Sequence, residues 1–454
     1  MWSTLLLAAL PQFQPAPVGC SQAHCDARLS DRAGLPPPGN GSTLLWRDSA
    51  APGSNYALGC SANGSIAACA FGLSAGGPPY LVVYDGLGNR QWDSDLSISA
   101  ATSAPIVDAA GGVIAADEFG VYRFAPGGAL AWSSPLPTDA GYPISPVITA
   151  AGTVAFATTG GLVGAIDSST GIGVTEELTD TIDGVSGRFL TRNTPATNGE
   201  RIYVVAEFSP DRQIGSSRIG SPARLYALDV SSSSIDVAWY LDVGGRSGAS
   251  PTVSGQVVFF DADQLTPTGP TEPHLFAVED RGDHGAYIYK HPLTSASVLP
   301  GGTSGALASA AHDPRGGMWL FTGGSSVLVR LSESASATGV TSDGSPTADV
   351  LDAIDFSAWA GEGAQPSSAV TLAEGPSGPV GMMTSLDGNA TSWWSIDLVN
   401  RTVLSQVPLG TGIRNWSAAQ SPIVQTPTHG SVVVLSTFGQ GAVGIGLASG
   451  AASE

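Results

Sequence analysis

The sequence is short of charge, of lysine and of cysteine. Charged residues make up 12 % of its 454 positions, and Lys+Arg number 18 against 38 Asp+Glu. Lys290 is the single lysine. A formal charge of -20 excludes capture of nucleic acid or of an anionic membrane surface through bulk charge. No uninterrupted apolar run reaches the roughly 18 residues that a transmembrane helix needs. Sustained helical periodicity is almost absent, which points away from an α fold. The six histidines contain no His-x-x-x-His pair, and no Gly-x-Ser-x-Gly stands between a strand and a helix. Zinc-helix and hydrolase-elbow chemistry therefore have no carrier.

Turn formers and apolar residues fill the space that charge leaves. Gly is 59, Pro is 32, and 42 % of the chain is hydrophobic. Many turns with few strong helix formers predict a compact all-β protein, and the length allows one large repetitive domain.

The four cysteines, Cys20, Cys25, Cys60 and Cys69, all fall in the first 69 residues. An even count so confined predicts two disulfides in an oxidising compartment; three pairings are open, Cys20–Cys25 with Cys60–Cys69 being the simplest. The apolar stretch from Met1 to Leu10, with small residues before Cys20, predicts a secretory signal over 1–19. A Cys- and Pro-rich segment, 20–41, follows. Of nine asparagines, five stand in Asn-x-Ser/Thr: Asn40, Asn63, Asn389, Asn400 and Asn415. About two would arise by chance, so a glycosylated, secreted or lumenal protein is expected.

From residue 42 to 454 a unit of about 40 to 55 residues recurs, a period that belongs to propellers and solenoids. Ser/Thr-Pro and a short apolar strand open it. A Gly turn, a second apolar strand, a third strand ending in Asp, and a strand carrying Trp follow. Clear copies start at Ser103, Ser145, Thr194, Ser250 and Ser421. Weaker ones run from about Tyr56, Leu307 and Val370, which makes eight. The last copy ends after its third strand. Thr43-Leu44-Leu45-Trp46-Arg47-Asp48 looks like the missing outer strand. The expected fold is an eight-bladed β-propeller of four-stranded antiparallel blades, closed by that N-terminal strand so that no sheet edge stays open.

Ala165-x-Asp167-x-x-Thr170-Gly171 and Ala227-x-Asp229, with the strands ending at Trp92, Trp132 and Trp239, resemble the pyrroloquinoline-quinone (PQQ) repeat. The chain resembles the quinoprotein alcohol dehydrogenase-like propellers over about 42–454. Thr175 departs from the pattern where Trp is expected. PQQ-using members cover the quinone with two adjacent cysteines and hold calcium nearby. No Cys-Cys pair exists here, so the resemblance implies no PQQ. It also extends to non-enzymatic members, such as a lipoprotein of bacterial outer-membrane assembly, that work as scaffolds through their loops.

Asp261-x-Asp263 at a strand end offers hard oxygens to Ca²⁺. Three insertions, 180–193, 207–223 and 261–274, belong to one face of a propeller and are contiguous round the ring. Arg188, Arg192, Arg212, Arg218 and Arg224 fall in or beside them, predicting a locally basic platform for an acidic glycan or a partner's carboxylates. The functional expectation is a monomeric binding or scaffold propeller without a transmembrane segment. The alternative is an enzyme on the same fold, a divergent quinoprotein oxidoreductase or a glycan-processing lyase or hydrolase. The central channel discriminates between them.

Overall fold

Short β-branched and aromatic runs, interrupted by Gly, Asn-Gly and Asp turns, fold into antiparallel strands; the inner ones are buried on both faces and the outermost are largely exposed. The computed structural model describes residues 13–49, 57–72, 81–94, 103–211, 222–245, 247, 249–264, 272–293, 309–321, 326–361, 364–387, 390–411, 420–437 and 441–449. Eight antiparallel sheets form eight blades: 57–94, 106–135, 147–177, 196–244, 252–292, 311–355, 365–411, and 423–446 together with Thr43–Asp48. Strands are labelled a to d from the axis outward. The one helix among the described residues, Ser357–Ala360, is a single turn between blades 6 and 7.

Ring closure follows the sequence expectation. Thr43–Asp48 pairs antiparallel with Gly441–Gly446 as strand d of blade 8, and Trp46 lies opposite Gly444. Neighbouring blades share their cores. At the closing seam Cys60, Phe71 and Tyr84 of blade 1 pack with Val424, Val432 and Val434 of blade 8. Tyr84 Oη donates to Asp48 Oδ2 at 2.9 Å, and Arg90 pairs with the same carboxylate at 2.6 Å.

The repeated Trp and Gly of the sequence are two halves of one joint. Each outer-strand Trp lies on the c–d turn of the next blade. Trp46 Nε1 donates to Gly86 O at 3.0 Å, and Trp132 Nε1 donates to Ser168 O at 3.0 Å. A Cβ on Gly88, Gly128 or Gly171 would stand 2.6, 2.9 or 2.8 Å from Cδ2 of Trp46, Trp92 or Trp132. These glycines also have φ of +85°, +89° and +73°, so both space and backbone call for Gly. The turn itself is held by its Asp: Asp167 Oδ1 accepts from the amides of Ser169 and Thr170. In blade 5 Trp is replaced, and Tyr289 Oη bonds Ser332 O of blade 6 at 2.9 Å.

Residues 13–36, which the sequence divides between a leader and a Cys/Pro-rich segment, run as one stretch through the middle of the ring. Carbonyls of Gly19, Cys20 and Ser21 accept from Ile423 of blade 8, Ala62 of blade 1 and Val107 of blade 2. Carbonyls of Ala27, Arg28, Ser30 and Asp31 accept from Thr197, Val253, His312 and Leu372 of blades 4 to 7. These seven bonds, 2.7 to 3.1 Å long, take the chain round the axis in blade order. The turn of blade 3 joins through Phe13 N and Ser168 Oγ. All seven acceptors meet strand a, so the segment fills the channel on the side of the a–b and c–d turns.

The backbone bends sharply to make this circuit. Cys20, His24, Cys25, Leu29 and Asp31 have φ between 51° and 73°, five of the seven such non-glycine residues described. Each costs about 1–2 kcal/mol, so the bonds to the ring must over-determine them. Side chains contribute as well: Phe13 and Leu29 are fully buried, and Leu29 belongs to the core shared by blades 3 to 5.

Candidate functional site

Two regions need to be weighed, the loop face and the axis. On the loop face the described residues of the expected insertions are mostly extended strand. Residues 179–190 form a hairpin, Thr179–Ile182 with Val185–Leu190, which adds to blade 4 beside Arg201–Ser209. Strands b and c of blade 4 run on to Ser209 and start at Ala223; those of blade 5 run on to Gln264 and start at Glu272.

The structure brings Arg188 and Arg224 into this region, but as buried internal ties. Arg188 reaches Glu177, Asp139 Oδ2 at 3.3 Å and Gly160 O at 3.3 Å. Arg224 pairs with Asp180 at 2.6 Å and Asp242 at 2.9 Å, and its guanidinium lies 4.6 Å from the Phe189 ring and 4.0 Å from that of Tyr240. Two guanidiniums thus face four carboxylates. The Arg224 partnership lowers the Asp180 carboxyl below its ordinary range, chiefly through the hydrogen bond between them. Arg192 is exposed. Arg212 and Arg218 lie outside the described residues.

Asp261 is buried in strand b of blade 5 and accepts from Ser247 Oγ at 3.2 Å. Asp263 is two residues on in the same strand; its side chain lies outside what is described. Among the described residues no three His, Cys, Asp or Glu side chains group as metal ligands. Asn40 and Asn400 are exposed, whereas Asn63 is half-buried in the a–b turn of blade 1, where its Nδ2 donates to Asp108 O at 2.9 Å. Asn389 and Asn415 lie outside the described residues.

Cys20 pairs with Cys25 and Cys60 with Cys69. The second disulfide joins directly opposed residues of strands a and b in blade 1. The first closes a loop on the axis, around Gln22 and His24. Gln420 pins that loop: its Nε2 donates to Gln22 O at 2.8 Å, and its Oε1 accepts from His24 N at 3.1 Å. His24 Nδ1 lies 3.0 Å from Asp31 Oδ2, with both side chains wholly buried. Burial raises the Asp31 carboxyl above its usual range, and the neighbouring His24 pulls the other way. No sequence signal marked this pair, which is brought together by left-handed backbone at His24, Cys25, Leu29 and Asp31 and not by a periodic element.

The protein's own backbone and the Cys20–Cys25 loop cross the mouth of the channel. The two cysteines are five positions apart.

The class defined by this architecture is the eight-bladed β-propeller. Comparison with protein-family models and with curated proteins gives no match. Among solved structures the chain is similar to the propeller of Dos1, with TM-score 0.50 and 10 % identity over 89 % of this chain and 95 % of that one. It is also similar to BamB from Moraxella catarrhalis, with TM-score 0.45 and 12 % identity over 98 % of both chains. A streptogramin B lyase structure follows, with TM-score 0.39 and 11 % identity over 87 % of this chain and 94 % of that one. At such identities the likeness concerns the fold alone.

Proposed function

We propose that this chain is a secreted or lumenal, glycosylated propeller that binds or positions a partner through its loop face. One observation carries the reading: the axial channel is filled by residues 13–36, hydrogen-bonded to strand a of seven blades. A propeller whose axis is crossed by its own chain leaves less of the axis to a substrate, and its rim loops become the recognition surface. The same observation weighs against a divergent quinoprotein oxidoreductase and against a glycan-processing enzyme working at the axis. Two disulfides support an oxidising compartment. Arg192, Arg212 and Arg218, rather than the internally paired Arg188 and Arg224, are assigned to meet an acidic glycan or a partner's carboxylates. Ca²⁺ at Asp261 and Asp263 is an accessory to be tested with them.

The test is a glycan array and a pull-down with the purified chain, with and without Ca²⁺. Substitution of Arg192, Arg212 and Arg218 by Ser should weaken capture of the identified partner at least about tenfold with unchanged melting. Undiminished capture by the triple variant would sink the platform. Alcohol oxidation by the purified chain supplied with PQQ and Ca²⁺ would sink the binding reading.

A further inference from the structure

Where Trp is expected in blade 3 the sequence has Thr175, and the outer edge of that blade differs from the other seven. In those seven the pairing of strands c and d contains a register shift. In five of them the shift falls beside the aromatic residue that lies on the next blade: Trp46, Trp92, Trp132, Trp239 or Tyr289. Strand d of blade 3, Gly173–Glu177, has neither Trp nor shift and pairs with Leu162–Ile166 in unbroken register. Bulges bend and twist an outer strand away from further pairing. Blade 3 therefore carries the one unshifted outer edge of the ring.

That edge is open. Asp167 N donates to Ile172 O at 2.9 Å, which sets the even-numbered residues towards strand c. By alternation Gly173, Thr175 and Glu177 turn their N–H and C=O groups outward, and no described strand pairs with them. Gly173, Thr175, Glu176 and Glu177 are exposed. Two crevices, of about 370 and 410 Å³, lie between this strand and the end of blade 2 and meet at Pro137 and Thr175. Pro135 and Pro137, both exposed, form an apolar wall, and without N–H groups they cannot donate to the edge across the gap. At the loop end Asp139, Glu176 and Glu177 line the second crevice, and Asp139 and Glu177 share the single guanidinium of Arg188. An extended segment laid here would find main-chain partners, a proline wall for its apolar side chains, and carboxylates for a cation. A second copy of this chain suits the edge poorly, because each copy carries a charge of -20.

We propose that the outer edge of blade 3 takes up an extended segment of a partner protein as a fifth strand, with apolar side chains against Pro135 and Pro137 and a Lys or Arg beside Glu176 and Glu177. This surface is additional to the arginine-bearing loops. The probe is a phage-displayed library of random decapeptides, panned on the full chain. Enriched peptides should alternate β-branched or aromatic residues and carry Lys or Arg near one end. Synthetic copies should bind the wild type and slow the amide exchange of Thr175 and Glu177. Thr175→Pro removes one outward N–H and keeps the bonds to strand c, so it should weaken these peptides at least about fivefold with unchanged melting. Glu176→Lys should weaken them by about 2- to 10-fold. Should Thr175→Pro fail to fold, Glu176→Lys and the exchange measurement decide. No enriched peptide, protection confined to other residues, or a concentration-dependent dimer that Thr175→Pro dissolves overturns the assignment.

Discussion

Replacing Gly88 by Ala attacks the seam where the ring closes. The new Cβ would stand 2.6 Å from Trp46 Cδ2 and 2.8 Å from its Cγ, at a φ of +85°. The left-handed backbone alone costs about 1–2 kcal/mol. Pushing the indole aside adds about 1–3 kcal/mol, and the bond from Trp46 Nε1 to Gly86 O is strained with it. Trp46→Ala removes a half-buried indole and should cost about 3 kcal/mol, the low end for Trp to Ala. In the double variant the steric part disappears, and Gly88→Ala keeps only its backbone cost. The two substitutions should therefore be less than additive by about 1–3 kcal/mol. Urea unfolding followed by circular dichroism measures the cycle. Gly127→Ala is the internal control: its φ is +90° but no atom lies within 4 Å, so only the backbone part remains. Additivity within about 0.5 kcal/mol, or a Gly127→Ala cost equal to that of Gly88→Ala, would refute the Trp-on-Gly joint.

Other consequences are open to similar tests. Glu333, bonded to His312, Gly317 N and Ser254 Oγ, has its carboxyl lowered to about 2, chiefly by His312. A depressed carboxyl stabilises fully above its unfolded value near 4.3 and loses that stabilisation as pH falls through about 2. Discounted for partial exposure this is ~1–2 kcal/mol, so Glu333→Gln should flatten the urea midpoint between pH 5 and 2 by about that amount. Arg224→Lys keeps the charge but loses the planar stack between Phe189 and Tyr240; we expect a loss of about 2–3 kcal/mol in unfolding, with partner capture at the loop face unchanged. Replacing Cys60 and Cys69 by Ala, which opens a short loop in blade 1 and leaves Cys20–Cys25 intact, should lower stability by about 2–3 kcal/mol in thermal melts.

The eight blades and the closing strand were legible because their signals are local. Short continuous apolar runs, Gly turns and Asp-capped hairpins fix each unit within some fifty residues, and Trp46 announced its strand by analogy with Trp132. The axial segment gave no such signal. Its contacts are with residues very far along the chain, as with His24 and Gln420, separated by 396 positions. Its φ values follow no repeating pattern. The Ser of the Ser-Pro motif was understood only through its proline. Ser145 Oγ accepts from Ala104 N of the preceding blade at 3.1 Å, and Ser250 Oγ accepts from Thr194 N at 3.0 Å, so the hydroxyls link strand a from blade to blade. The arginine cluster shows the opposite failure. The expected platform counted Arg188 and Arg224 without their carboxylates, and Asp139, 49 positions from Arg188, carries no sequence signal of that pairing.

Threading the axis with the first residues has a price in birth order. Residues 19 to 31 emerge from the ribosome before any blade exists, yet their final partners extend to Ile423. Thr43–Asp48 likewise waits for Gly441–Gly446. Such distant contacts form slowly, so the nascent chain must hold its hub unsatisfied until blade 8 has been made. Residues 19–31 contain no β-branched or aromatic residue, and this low strand propensity protects the hub from premature pairing during that wait.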